Sequence, residues 1–145
     1  MKAVIQRVQK GRVSVGGKTL SEINLGLVIL LGVGPDDTKE QAHQLARKTA
    51  HLRIFEDDNG KMNLSLMDIG GEALVVPQFT LYADTRRGHR PSFTDAAPPG
   101  IAEPLADFFS SCLEELGLST SRGQFGAHML VEIHNDGPVT ILIEG

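Results

Sequence analysis

The chain has 145 residues, a formal net charge of −4 and a pI of about 5.7. That length fits one domain able to bury roughly 70% of the surface its unfolded chain would expose, so no disulfide or metal staple is required, and the lone Cys112 can form no internal disulfide. The acidic balance, the absence of tryptophan and the single tyrosine exclude a broad polyanion binder and a stacking platform for single strands, though not a local contact with one end of an RNA.

Ala3 to Val8 reads as a strand rich in Val and Ile. Arg7 breaks this first apolar run too early for a signal peptide. Arg12–Val15 and Lys18–Ile23 flank Gly16-Gly17, a two-residue hairpin signal. Leu27 to Val33 is continuously apolar, the pattern of a strand buried on both faces. The longest apolar stretch, Leu25 to Val33, is far short of the roughly 20 residues that span a bilayer. A cytoplasmic protein with no membrane partner is therefore expected.

A first helix is predicted from Asp37 or Thr38, with Asp37 and Glu40 as a capping box and Ala42, Leu45, Ala46, Thr49 and Leu52 on one face. Glu56 to Gly60 is a polar turn. Ala73–Val76 and Phe79–Tyr82 read as strand interrupted by Pro77, and Ala83 to Pro99 as loop. A second helix runs from about Ile101 to Leu116, with Leu105, Phe108, Phe109, Cys112, Leu113 and Leu116 as its buried stripe and Gly117 as its stop. Two last strands, Met129–His134 and Val139–Ile143, are joined by a turn at Asn135–Pro138. No repeat or linker divides the chain. The expected fold is α/β: a single domain of mixed, largely antiparallel stacked sheets, or a partial barrel, covered by two helices.

Few residues offer chemistry in familiar spacing. No His-Glu-x-x-His or Cys-x-x-Cys pattern occurs, so no metal site or other cofactor is expected. Gly32-Val33-Gly34 lacks the third glycine of a dinucleotide fingerprint and the lysine of a phosphate loop. Cys112 falls on the apolar face of a helix and reads as core. Arg86, Arg87, His89 and Arg90 are different, a dense cationic cluster on an acidic chain. They read either as a solvated loop or as a phosphate contact, since guanidinium forks match phosphate oxygens. Alternation would place Gln78 and Thr80 on one strand face and Phe79 on the other. Asn135-Asp136-Gly137-Pro138 is a special turn, because proline removes a ladder donor beside an Asp-Gly tip.

At Gln78-Phe79-Thr80-Leu81 and Asn135-Asp136-Gly137-Pro138-Val139-Thr140 the chain resembles the D-aminoacyl-tRNA deacylase family, whose paired signatures are Ser-Gln-Phe-Thr-Leu and Asn-x-Gly-Pro-Val-Thr. The similarity spans nearly the whole chain, including Gln6-Arg7-Val8, Lys61-Met62-Asn63, Arg90-Pro91-Ser92-Phe93 and Phe125-Gly126-Ala127-His128-Met129. One departure is Pro77, where the family usually has serine. The resemblance implies hydrolysis of the ester between a D-amino acid, or glycine, and the terminal ribose of tRNA. It implies that the aminoacylated acceptor end of tRNA is the partner substrate. It further implies a homodimer with two active sites at the subunit interface.

By this resemblance Gln78, Phe79 and Thr80 are the catalytic residues, with Phe125, Gly126, Ala127 and Met129 nearby. Gly137-Pro138, joined by a cis bond and held by Arg7, is the chirality gate that reaches the partner's site. Main-chain groups and the substrate's own ribose hydroxyl carry the chemistry, with Thr80 as a nucleophile the alternative. Arg86, Arg87 and Arg90 are the candidate tRNA contacts. Two other readings stand beside this one: a non-catalytic nucleic-acid-binding module using the arginine loop, and a hydrolase of small esters or amides with Thr80 as nucleophile.

Overall fold

Alternating buried and half-buried residues from Lys2 onward make one long strand, β1 (Lys2–Val15), rather than two short ones. The computed structural model describes all of residues 1–145. After the Gly16-Gly17 turn, β2 (Lys18–Ile23) returns antiparallel along the far half of β1, and β3 (Gly26–Gly32) lies antiparallel along its near half. The β3 run is buried at all but one position, as its unbroken apolar sequence requires.

The chain then crosses over. Helix α1 (Lys39–His51) begins at Thr38, whose hydroxyl accepts from the Gln41 N–H while the Gln41 side chain accepts from the Thr38 N–H. The capping box is thus Thr38–Gln41, not Asp37–Glu40. Asp37 is committed elsewhere, accepting from the Gly34 N–H at 2.6 Å and pairing with the Met1 ammonium at 2.6 Å. A small hairpin, β4 (Phe55–Glu56) and β5 (Met62–Leu64), encloses the expected polar turn. Next comes a third, one-turn helix, α2 (Leu66–Ile69), capped by Ser65. It escaped the periodicity reading because it is too short to carry a period.

Strand β6 (Glu72–Pro77) lies parallel to β3, and β7 (Ser119–Arg122) parallel to β6. Between them runs α3 (Pro99–Glu115). Pro99 opens α3 where a missing N–H costs nothing, but Pro104 lies inside the helix, past its first turn, and leaves the Gly100 carbonyl without its helical N–H partner. The stripe of α3 is buried at Leu105, Phe109, Cys112 and Leu113, while Phe108 and Leu116 are only half-buried. Burying Phe109 or Leu113 fully contributes on the order of 1.5–3 kcal/mol each. Helices α1 and α3 cover one face of the sheet. Where β1 and β2 bend, the opposite face encloses a smaller core of Val8, Val13, Ile23, Val28, Leu74 and Val76. The mixed sheet thus nearly closes into a barrel, as β2 comes beside β7.

The two expected terminal strands are one. Strand β8 (Met129–Glu144) runs antiparallel along β1, with Met129 opposite Val15 and Glu144 opposite Lys2. The register slips between Gln6 and Val8: Thr140 faces Gln6 and Asn135 faces Val8. Asp136–Val139 are therefore extra residues, pushed out of the ladder opposite Arg7. The Asn-Asp-Gly-Pro signal marks an excursion within one strand, not the end of one.

Candidate active site

Where β3 and β6 end, the chain leaves a cavity of about 640 Å³. Its walls are mostly apolar: Leu31 at the end of β3 and Val33 just after it, Val76 to Phe79, the Ala96–Pro99 approach to α3, and Phe125 to Met129. Pro77 contributes to this opening. The Gly123 N–H donates to Val75 O at 2.8 Å. The next rung of that parallel ladder would need an N–H from residue 77, and proline has none. The ladder stops, and the chain leaves as a turn in which Ala127 N–H reaches Gln124 O at 3.2 Å. Gly126, at φ +75°, supplies the conformation an L side chain resists.

Phe79–Tyr82 is a 3₁₀ helix, not a strand, so the predicted face alternation of Gln78, Phe79 and Thr80 does not hold. Local chemistry brings Gln78 and Thr80 together anyway: the Gln78 side-chain amide donates to the Thr80 hydroxyl. Gln78 and Phe79 line the cavity, whereas Thr80 is exposed and does not. The Phe79 and Thr80 N–H groups open the 3₁₀ helix, where no earlier turn offers them acceptors. Leu81 N–H is the first to find one, Gln78 O at 3.3 Å. Phe79 is 58% exposed at the cavity mouth and meets Phe93 edge-on, with ring centroids 5.2 Å apart.

Phe125, Gly126, Ala127 and Met129 line the cavity together with Gln78 and Phe79. The sequence reading missed Phe93, Pro98, Pro99 and His128 as wall residues. Phe93 and His128 stand inside motifs already singled out, and Pro98-Pro99 is a rigid pair just before a helix. His128 is the one titratable side chain in the wall.

Arg7, Gly137 and Pro138 lie outside the cavity. The buried Arg7 guanidinium donates to Asp136 O at 2.8 Å and to Ile54 O at 2.8 Å, tying the Asp136–Val139 excursion to the loop before β4. The Asn135 side chain fastens the same excursion from inside: its Oδ1 accepts from Val139 N–H at 2.7 Å, and its Nδ2 donates to the Thr140 hydroxyl at 3.1 Å. Gly137 and Pro138 themselves are exposed, and the bond between them is cis. At Gly137, φ is +138°, and a Cβ would fall 2.8 Å from Val139 Cγ2 and 3.1 Å from Arg7 Nη2. Only glycine fits there without displacing the turn.

The arginine loop is closed at its base by a bridge between Asp84 and Ser92. Arg86 turns back onto Asp84, its Nε and Nη2 each 2.8 Å from a carboxylate oxygen. Hydrogen bonds from the Arg86 side chain and N–H hold the Asp84 carboxyl down to about 2. Arg87 and Arg90 are exposed and have no ion-pair partner. Cys112 is buried in α3, and burial raises its thiol pKa, as for a core residue.

Residues 4–144 match the family model described as D-Tyr-tRNA(Tyr) deacylase. The chain is 61% identical to a D-aminoacyl-tRNA deacylase of Roseiflexus castenholzii, over 99% of this chain and 92% of that one. It is 56% identical to one of Thermotoga petrophila, over 99% and 97%. Among solved structures it superimposes on a c-Myc DNA unwinding element binding protein with a TM-score of 0.93 at 42% identity, covering 100% of this chain and 99% of that one. A structure described as a "probable eukaryotic D-amino acid tRNA deacylase" shares the fold, with a TM-score of 0.85 at 17% identity, covering 98% and 97% of the two chains.

Proposed function

The chain belongs to the D-Tyr-tRNA(Tyr) deacylase family, and from that premise we propose how its cavity performs the reaction. The protein is a hydrolase of D-aminoacyl-tRNA, splitting the ester between the D-amino acid and the tRNA. In our reading the aminoacylated terminal adenosine enters the apolar cavity, and water attacks the ester carbonyl carbon. The carbonyl oxygen becomes an oxyanion, which the Phe79 and Thr80 N–H groups receive at the opening of the 3₁₀ helix. Collapse breaks the bond to the ribose oxygen, which leaves with a proton, and the neighbouring ribose hydroxyl assists the proton transfer. Fixed main-chain donors of this kind need no reorganisation as charge develops. The Thr80 hydroxyl is a poor nucleophile here, since it bonds to Gln78 and to no histidine or carboxylate.

Gly137-Pro138 is the chirality gate in this proposal. One chain keeps it apart from its own cavity: Arg7 pairs with Leu27 on β3, four residues and roughly 13 Å short of the cavity wall at Leu31. A second copy would bring its exposed turn to the cavity mouth. Its carbonyl oxygens would then collide with an L side chain and spare a D one, or the missing side chain of glycine. The observation that carries the mechanism is the pair of N–H groups opening a 3₁₀ helix beside an apolar cavity. The name of the relative that binds a DNA unwinding element favours a second reading, nucleic-acid binding without hydrolysis. Deacylation of matched D- and L-tyrosyl-tRNA decides between them. Release of the D-amino acid alone is expected; equal hydrolysis of both hands overturns the gate, and no hydrolysis overturns the enzyme.

A further inference from the structure

The cationic loop lies beside the cavity by construction. It leaves from the 3₁₀ helix that carries Phe79 and returns at Phe93, and those two rings touch at the cavity mouth. The Asp84–Ser92 bridge pins its base, with Asp84 N–H donating to Ser92 O at 2.8 Å and Ser92 N–H to Asp84 O at 2.9 Å. Residues 85–92 are all exposed. The three arginines are not equivalent. Arg86 is spent on Asp84 through a two-pronged contact, and Asp95 is the other carboxylate acting on it. Arg87 and Arg90 flank Gly88, whose φ of +72° makes the tip of the loop, and no carboxylate pairs with either. Two guanidiniums with no ion-pair partner thus stand three residues apart on the loop beside the mouth of the site.

Resting on the deacylase reading above, we propose that this loop is the landing surface for acceptor-stem phosphates, with Arg87 and Arg90 touching the phosphates and Arg86 serving as a positioning strut. When the terminal adenosine is in the cavity, the phosphates that follow it must pass the rim. Cations already pinned there meet them without the cost of ordering a free loop. Guanidinium forks suit phosphate oxygens, and such pairings set affinity and register without reading sequence. Arg86 cannot serve both Asp84 and a phosphate through the same two nitrogens.

The test is the salt dependence of tRNA(Tyr) binding, followed as log Kd against log salt. Each phosphate that is no longer neutralised lowers the slope by about 0.7–0.9, so Arg87→Gln with Arg90→Gln should lower it by about 1.4–1.8. Arg86→Gln should weaken binding with a slope change well below that of one phosphate. Lys18→Gln with Lys48→Gln, on exposed sites elsewhere in the chain, should leave the slope as it is. An unchanged slope in the Arg87/Arg90 variant overturns the proposal, as does an equal fall in the lysine control. A fall worth one whole phosphate from Arg86→Gln reverses the assigned roles and also overturns it. Deacylation of D-tyrosyl-tRNA by the unaltered protein is measured in parallel. Its absence would sink the deacylase reading, whereas its presence with an unchanged slope sinks only the loop.

Discussion

Thr80 and His128 test at the residue scale whether side chains or the main chain carry the chemistry. Thr80 offers the one hydroxyl in the Gln78–Leu81 motif, and His128 the one titratable group in the cavity wall. If the Phe79 and Thr80 N–H groups stabilise the oxyanion, neither side chain is a reacting group. Thr80→Ala and His128→Ala should each keep kcat/KM on D-tyrosyl-tRNA within about tenfold, or about 1.4 kcal/mol of barrier. A nucleophile or its base would cost several orders of magnitude. A collapse of that size in either variant, with circular dichroism unchanged, returns the chemistry to a side chain. The sequence offered no triad at this scale, and the cavity assembles none. What stayed hidden was the division of labour within motifs. Gln78, Phe79 and Thr80 read as one group, yet only the first two face the cavity. Arg86, Arg87 and Arg90 read as one cluster, yet Arg86 is neutralised by a neighbour two residues away. Both facts depend on local backbone turns, which residue type alone does not fix.

At the scale of elements, burial stripes and hairpin signals were legible, and the two helices with full turns appeared where their apolar periods placed them. Two segments were misjudged, for the same reason. A Phe79–Tyr82 strand and two C-terminal strands are what alternation and a turn signal suggest. The missing information was which partner lies alongside. Pro77 ends one ladder and a 3₁₀ turn follows, while β1 continues past the Asn135–Pro138 signal and keeps β8 going. The 3₁₀ helix is also fixed from below. Tyr82 at its end lies 3.4 Å from Asp37, which itself ties Gly34 to the Met1 ammonium. Burial, and then the Asp37 charge, push the Tyr82 phenol up to about 12. Because the folded value lies above the ordinary one near 10, this contribution to stability is fully present below about pH 10 and lost as pH rises through about 12. Tyr82 is the only tyrosine and there is no tryptophan, so phenolate absorbance reports it without interference. Titration should give a midpoint near 12 in the folded protein. Asp37→Asn should lower it part of the way, since burial remains. A midpoint near 10 with the fold intact would remove the junction that anchors this element.

The whole molecule presents a site in two separated parts. The cavity holds Gln78, Phe79 and Phe125–Met129, while the Gly137-Pro138 turn stands exposed beside Arg7 and away from it. On β8, Leu130 and Leu142 are 65% and 63% exposed, large apolar groups with no cover in one chain. A symmetric pair of chains would cover such a face and exchange the two turns, since a two-fold contact repeats itself in both directions. Whether the turn acts across the interface can be decided by mixing two defective chains. Gly137→Ala forces a Cβ to 2.8 Å from Val139 Cγ2 at a φ of +138°, and so displaces the turn. A side chain in such a backbone region costs about 1–3 kcal/mol, which the fold should tolerate. Ala127→Phe fills the cavity wall while leaving the turn alone. Each variant by itself should deacylate D-tyrosyl-tRNA poorly, the first because a displaced turn also misassembles the pocket it borders. Denaturing the two together and refolding them should yield mixed dimers in which one site carries both defects and the other carries none. Activity on the order of a quarter of the unaltered protein's should then return, as random pairing of two chains in a two-fold dimer requires. If turn and cavity act within one chain, every site in the mixture keeps one defect. The mixture would then be no more active than its components, and the shared site would be wrong.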